Sequence, residues 1–181
     1  FGLLSFVSYL VEGAVGDWSA LYLFEDKGIV IQEAVMGVML FNGTMCIGRL
    51  LGNTIGKHVT SKQVVVGGYL LGAIAMALIV FLPGHASMYT YLLLGISLAM
   101  VVPNLFSAMG EQNVIPMTQA VATSTMLGYM GILMGPALIG FIAHGTSLTI
   151  AFIVLTVLLV ISAGIGKYAY YLMNKNCGVE E

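Results

Sequence analysis

The 181-residue chain is 59% hydrophobic and only 8% charged, with mean hydropathy +1.00, whereas a soluble domain carries roughly 25% charged residues. That excludes a soluble fold, and a net charge of −2 without a basic tract excludes a nucleic-acid partner, which needs a dense cationic face. A helix needs about 20 apolar residues to cross the hydrocarbon of a lipid bilayer, so six spans with short turns use up the chain and leave no separate soluble domain.

The chain opens at Phe1, inside an apolar run and without an initiator Met, and reads as a piece of a longer protein with no signal peptide to remove. The first span is expected over about 1–24, closed by the polar loop Glu25-Asp26-Lys27-Gly28, and the second over about 31–55. The third, about 64–82, stops at Pro83-Gly84, since Pro lacks the N–H a helix needs and Gly tolerates positive φ. A fourth, continuous span is expected over about 87–109. Pro116 suits a first helical turn, placing the fifth over about 117–143, and the sixth runs over about 147–173 into a polar tail.

Orientation comes from the stretch Gly48 to Gln63. It holds Arg49, Lys57 and Lys62, half of the six basic residues, and basic loops are retained on the cytoplasmic side. Lys167 and Lys175 then also fall inside and only Lys27 outside, with a cytoplasmic C-terminus in a cell (inner or plasma) membrane. Cys46 in a span and Cys177 in the tail lie at different depths and read as free thiols.

Gly43 and Gly48-Arg49-Leu50-Leu51-Gly52 recur 88 positions later as Gly131 and Pro136-Ala137-Leu138-Ile139-Gly140. Two three-helix units of opposite orientation would give the inverted repeats of secondary transporters; small-residue packing alone also spaces glycines this way. The loop after the second span resembles a signature of the major facilitator superfamily, in which a glycine is followed by Asp-Arg-x-Gly and a closing Arg or Lys. Here Gly52 keeps the glycine, Lys57 replaces the Asp, His58 the Arg and Thr60 the Gly, while Lys62 keeps the last basic residue. The fifth span is similar to that family's penultimate helix, and VEGAVGDWSALYL to the seventh helix of bacterial members related to fucose permease. The resemblance covers the whole chain and implies an all-α integral membrane fold, helices seven to twelve. It also implies a missing N-terminal six-helix half as partner, and alternating access around a mid-membrane site.

Glu12 and Asp17 are the carboxylates far from any loop, and a charge at that depth costs at least about 2.5–3.5 kcal/mol on insertion scales. Ser5, Ser8, Glu12, Gly16 and Ser19 share one helix face and present a polar stripe to something other than lipid. Glu12 reads as a lone carboxyl serving as a proton or substrate site, and Asp17 as an outer gate or substrate contact; structural pairing of each is the competing reading. Asn42 and Thr44, Asn104, and Thr123, Ser124 and Tyr129 lie within a few turns of mid-membrane. Asn42, Asn104 and Tyr129 suit a sugar or other small polar solute held by amide, phenol and ring contacts, though Ser, Thr and Asn also bridge neighbouring helices. Trp18 and Tyr22 read as interface-belt residues. Gly128, Gly131, Gly135 and Gly140, with Pro136, would let the fifth span approach a neighbour closely and bend.

The twelve methionines read as adaptable filler. His58, His85 and His144 lack ligand spacing for a shared metal, and no phosphate-cradling loop is present, so neither metal nor cofactor is expected. The chain therefore reads as part of a secondary transporter, proton-coupled, for a small polar solute such as a sugar. A six-span assembly subunit without transport is the alternative; an enzyme is not indicated, for want of a paired nucleophile and base.

Overall fold

A computed structural model of the chain describes residues 1–55, 59–112 and 115–177, and these form seven α-helices. They are α1 (Gly2–Glu25), α2 (Ile31–Ile55), α3 (Ser61–Phe81), α4 (Gly84–Ala99), α5 (Val101–Glu111), α6 (Met117–Gly145) and α7 (Leu148–Cys177). Lys57 and His58 lie outside the described residues.

Helix boundaries follow local chemistry. Thr60 caps α3 in a reciprocal box: its Oγ1 accepts from Gln63 N at 3.3 Å while the Gln63 side chain accepts from Thr60 N at 3.1 Å. Two orphan amides are satisfied at once, so α3 begins at Ser61, three residues before the expected start. At its other end Leu82 is extended (φ −80, ψ 145), as the residue preceding a proline prefers, and Gly84 at φ +48 lets the chain reverse into α4.

The fourth span is not the continuous helix expected over 87–109. It breaks at Met100 (φ −99, ψ −4) into α4 and α5. Pro103 is the physical cause, because it has no N–H to donate to the Ala99 carbonyl one turn back. The freed turn is held by Asn104, whose backbone N and Nδ2 both donate to the Met100 carbonyl, at 3.2 and 2.8 Å.

Five helical segments among the described residues are long and apolar enough to cross a membrane: 31–52, 61–81, 84–111, 117–145 and 148–175. The first expected span, over about 1–24, is absent from that set. At 24 residues α1 is long enough, but Glu12, Asp17 and the serines of its polar face lower its apolarity. Packing compensates for that composition. α1 lies against α2, α4, α5, α6 and α7, and α3 reaches it through Tyr69, whose hydroxyl donates to the Leu4 carbonyl at 2.7 Å and pairs with Ser8 Oγ at 2.7 Å. Ser5, Ser8 and Ser19 are all buried, so the serines of the polar stripe face protein, while Glu12 and Gly16 are partly exposed. On the exterior, Leu50, Phe81, Leu133 and Phe141 are each more than three-quarters exposed, an apolar surface suited to lipid.

The bundle closes by backbone approach at glycines. A Cβ on Gly95 of α4 would overlap the Phe41 carbonyl of α2, and one on Gly68 of α3 would lie 2.7 Å from the Ser97 carbonyl of α4. With lipid tails as apolar as leucine, such close van der Waals contact rather than water exclusion holds the helices together.

Candidate functional site

An arginine–carboxylate ion pair joins α1 to α2. Arg49 Nη2 lies 3.3 Å from each Glu12 carboxylate oxygen; the Arg49 side chain is 43% exposed and that of Glu12 21%. Glu12 is therefore not the lone carboxyl expected. Its partner sits 37 residues away on a neighbouring helix, at a register that no sequence pattern specifies, and Arg49 works as a helix residue as well as part of the basic stretch. The separation exceeds the 2.7–2.9 Å of a tight charge-assisted bond, so the contact neutralises charge without locking either side chain.

Neighbouring groups extend this polar face. Tyr9, one turn before Glu12, is within electrostatic reach of Glu12, Arg49 and Tyr129 of α6. Asn42 and Cys46 precede Arg49 by seven and three residues, so all three lie along one side of α2, and all are exposed. Tyr129 is 67% exposed, and Asp17 is also exposed, further along α1. Asn42 donates to the carbonyl of Val38 at 3.0 Å, within its own helix. Asn104 is likewise engaged with its own helix at the Met100 break. The structure thus brings Glu12, Arg49, Tyr9 and Tyr129 together, whereas the amides of Asn42 and Asn104 join neither that cluster nor each other by a hydrogen bond.

A glycine seam fixes α1 against α6. A Cβ on Gly131 would overlap the Phe6 carbonyl oxygen and lie 3.2 Å from Leu10 N; one on Gly135 would overlap the Leu10 carbonyl oxygen and lie 3.2 Å from Ala14 N. The two glycines therefore rest on successive backbone hydrogen bonds of α1, four residues apart in both helices. At either end of the seam aromatic rings replace backbone: a Gly128 Cβ would meet the Tyr9 ring at 2.5 Å, and a Gly140 Cβ the Trp18 ring at 2.9 Å. Trp18 Nε1 also donates to the Pro136 carbonyl at 2.9 Å, so this indole is seated on α6 rather than serving only as a belt residue. Gly52 of α2 rests on the Met100 side chain, and Gly48 would bring a Cβ within 2.5 Å of Ala99 Cβ. Both conserve close approach at the break in the fourth span. Lys62 is half-buried in the first turn of α3.

The two ends of the bundle differ. At the Asp26 end, Lys27 Nζ donates to the carbonyls of Val80 and Leu82 at 2.6 and 2.9 Å and stands 5.3 Å above the Tyr22 ring. Burial pushes its ammonium pKa down, with Asp26 opposing. Asp26 accepts from Thr149 Oγ1 at 2.9 Å, and Glu33 meets His85 Nε2 at 2.8 Å. At the Thr60 end a cavity of about 430 Å³ opens between α1, α5, α6 and α7, with Gln112, Gln119, Thr123 and Ser124 in an otherwise apolar wall. Thr123 and Ser124 therefore line this cavity.

Helices of spanning length, glycine-mediated packing and a charge pair between helices define a multi-pass helical membrane protein. No family model matches the chain. It is 41% identical over 152 residues to an uncharacterized MFS-type transporter of Yersinia pestis, an alignment covering 83% of this chain and 40% of that protein. It is 30% identical to the membrane protein MosC of Rhizobium meliloti over 82% of this chain and 37% of that one. It is also 26% identical to a fosmidomycin resistance protein of Escherichia coli, over 83% and 37% respectively. The chain belongs to the major facilitator superfamily. It spans about two fifths of the length of the curated relatives it matches, a partial match that fits a C-terminal half of such a protein.

Proposed function

We propose that this chain is the C-terminal half of a proton-coupled secondary transporter, working by alternating access against an N-terminal six-helix half around the face that carries Glu12 and Arg49. The observation behind this reading is that ion pair, placed on a partly exposed face of a bundle otherwise closed by backbone contact. Paired ionisable side chains within membrane-spanning helices mark substrate or proton paths, and rigid-body rocking of one half over the other suits a half held together by glycine seams. In this reading α1 also crosses the membrane, as the first of six spans, sheathed by protein on most sides, and the Thr60 end and C-terminus are cytoplasmic in a cell membrane.

Glu12 carries the proton, Asp17 contacts substrate or gates the outer mouth, and Asn42, Asn104 and Tyr129 bind solute. Gly52, Lys57, His58 and Lys62 form the cytoplasmic loop motif, and Gly128, Gly131, Gly135, Pro136 and Gly140 form the packing and gating seam. The solute is small and polar. A sugar fits the phenol and amide groups, and the name of the Escherichia coli relative, a fosmidomycin resistance protein, supports a wider range.

The test is Glu12→Gln in the whole protein reconstituted in vesicles. The variant should lose accumulation driven by a pH gradient while energy-independent counterflow survives. Because Gln leaves Arg49 without a counterion, the double variant Glu12→Gln/Arg49→Gln, which removes both charges, is assayed beside it. Wild-type accumulation by a folded Glu12→Gln protein ends the coupling role.

A further inference from the structure

Arg49 is the sole arginine in the chain, and its surroundings narrow the solute class. A guanidinium presents five N–H donors in a fork. Here a single nitrogen, Nη2, serves both oxygens of Glu12 at 3.3 Å, and 43% of the side chain remains exposed. An arginine so placed is held by a loose partner while its fork stays accessible on the face assigned above to solute. Tyr9 is within electrostatic reach of it, with Tyr129 in turn within reach of Tyr9, and Asn42 lies two turns along α2 on the same side.

We propose that Glu12 and Arg49 form an exchange pair whose solute carries an oxyanion, a carboxylate, phosphate or phosphonate group, which takes the place of the Glu12 carboxylate on Arg49 when Glu12 is protonated. This rests on the transport reading above and adds the charge of the substrate to it. Charge neutrality drives the exchange. With Glu12 ionised the pair carries no net charge. When Glu12 takes a proton, Arg49 is left as an uncompensated cation within the bundle, a state that costs free energy in a low-dielectric site. A bound monoanion restores neutrality, whereas an uncharged sugar does not.

Proton and anion therefore favour each other's binding. By linkage the effect is reciprocal and typically about 5–150-fold in affinity. One proton accompanies each monoanion, and the site is neutral both loaded and empty. Among the described residues, the titratable and charged groups placed beside Glu12 are Arg49 from α2 and Tyr9 on α1 itself, with Tyr129 of α6 within reach of Tyr9. Of these, Arg49 alone is cationic, so it is the group that changes partner.

Cys46, exposed and three residues before Arg49, provides a readout that does not require the natural solute. The whole protein is placed in phosphatidylcholine vesicles, and alkylation of Cys46 by N-ethylmaleimide is followed by peptide mass spectrometry, with and without methanesulfonate, an oxyanion ionised throughout. The ratio of the two rates should show protection that is about 5–150-fold more potent in acidic than in alkaline medium. Protection should be absent with glucose, present in both media for Glu12→Gln, weakened in Arg49→Lys and lost in Arg49→Gln. Equal protection by glucose, no protection at all, or protection surviving Arg49→Gln overturns the proposal.

A second arm replaces part of the lipid with phosphatidylglycerol. If that headgroup alone slows alkylation and methanesulfonate adds nothing, a lipid is the occupant and the solute proposal fails. The two readings also fail separately. Proton-driven uptake without anion protection removes the anion site and leaves transport standing; anion protection without proton-driven uptake does the reverse.

Discussion

Gly131→Ala tests the seam between α1 and α6 with the smallest possible change. The added Cβ would overlap the Phe6 carbonyl oxygen and stand 3.1 Å from Phe6 C and 3.2 Å from Leu10 N. All three are backbone atoms of α1, so no side-chain rotation relieves the contact. Optimal carbon contacts fall near 3.5–4.0 Å, so α1 must retreat on the order of 1 Å along this stretch. Overpacking of this kind costs typically about 1–3 kcal/mol, against a gain of roughly 0.5–1 kcal/mol from replacing a helical glycine with alanine.

The net expectation is a loss of about 1–2 kcal/mol. Gly16→Ala is the matched control, because nothing lies within 4 Å of its Cβ and only the helix-propensity gain applies. Gly135→Ala presses on the next hydrogen bond of the same helix, so the double variant should lose less than the sum of the singles, since the first displacement already makes room for the second. The assay is thermal or denaturant unfolding of the purified whole protein in detergent. Gly131→Ala matching Gly16→Ala in stability would refute backbone contact at the seam.

Lys27→Met leaves the Val80 and Leu82 carbonyls without their ammonium donor at the end of α3 and should lower stability by about 1 kcal/mol near neutral pH. Since burial lowers the Lys27 pKa, the folded protein binds fewer protons than the unfolded chain between that lowered value and the ordinary 10.5. Wild-type stability should therefore rise with pH across that window relative to Lys27→Met, and a pH series of melting temperatures checks the sign. For topology, a cysteine placed at Thr60 should react with an impermeant maleimide only from the cytoplasm and one at Asp26 only from outside; the reverse labelling overturns the orientation.

The helices were legible because apolar runs of membrane length are bounded by Pro, Gly and charged turns. The polar stripe of α1 was legible too, since Ser5, Ser8, Glu12 and Ser19 fall at helical spacing, and the structure buries its serines. The break at Met100 had a visible signal in Pro103, outweighed by the unbroken hydropathy on either side. Two features could not be read in advance. The partnership of Glu12 with Arg49 depends on the relative rotation and height of two helices, which the pattern along one helix does not encode. Likewise, the seat of Trp18 on Pro136 and Gly140 is a long-range contact, whereas its position near a helix end is what sequence displays. Glycines on α6 were visible as small residues, but the identity of the neighbour they touch, the Phe6–Leu10 and Leu10–Ala14 backbone bonds, required the packed bundle.

The central claim is that the face carrying Asn42, Arg49 and Glu12 opens to each side of the membrane in turn. Its most direct test is Asn42→Cys in the whole protein, with impermeant maleimides applied separately from the two sides of oriented vesicles, with and without an imposed pH gradient. The account predicts that position 42 reacts from both sides and that the gradient shifts the ratio of the two rates. Reaction from one side only, at a ratio that the gradient does not change, would contradict alternating access and identify a static membrane subunit.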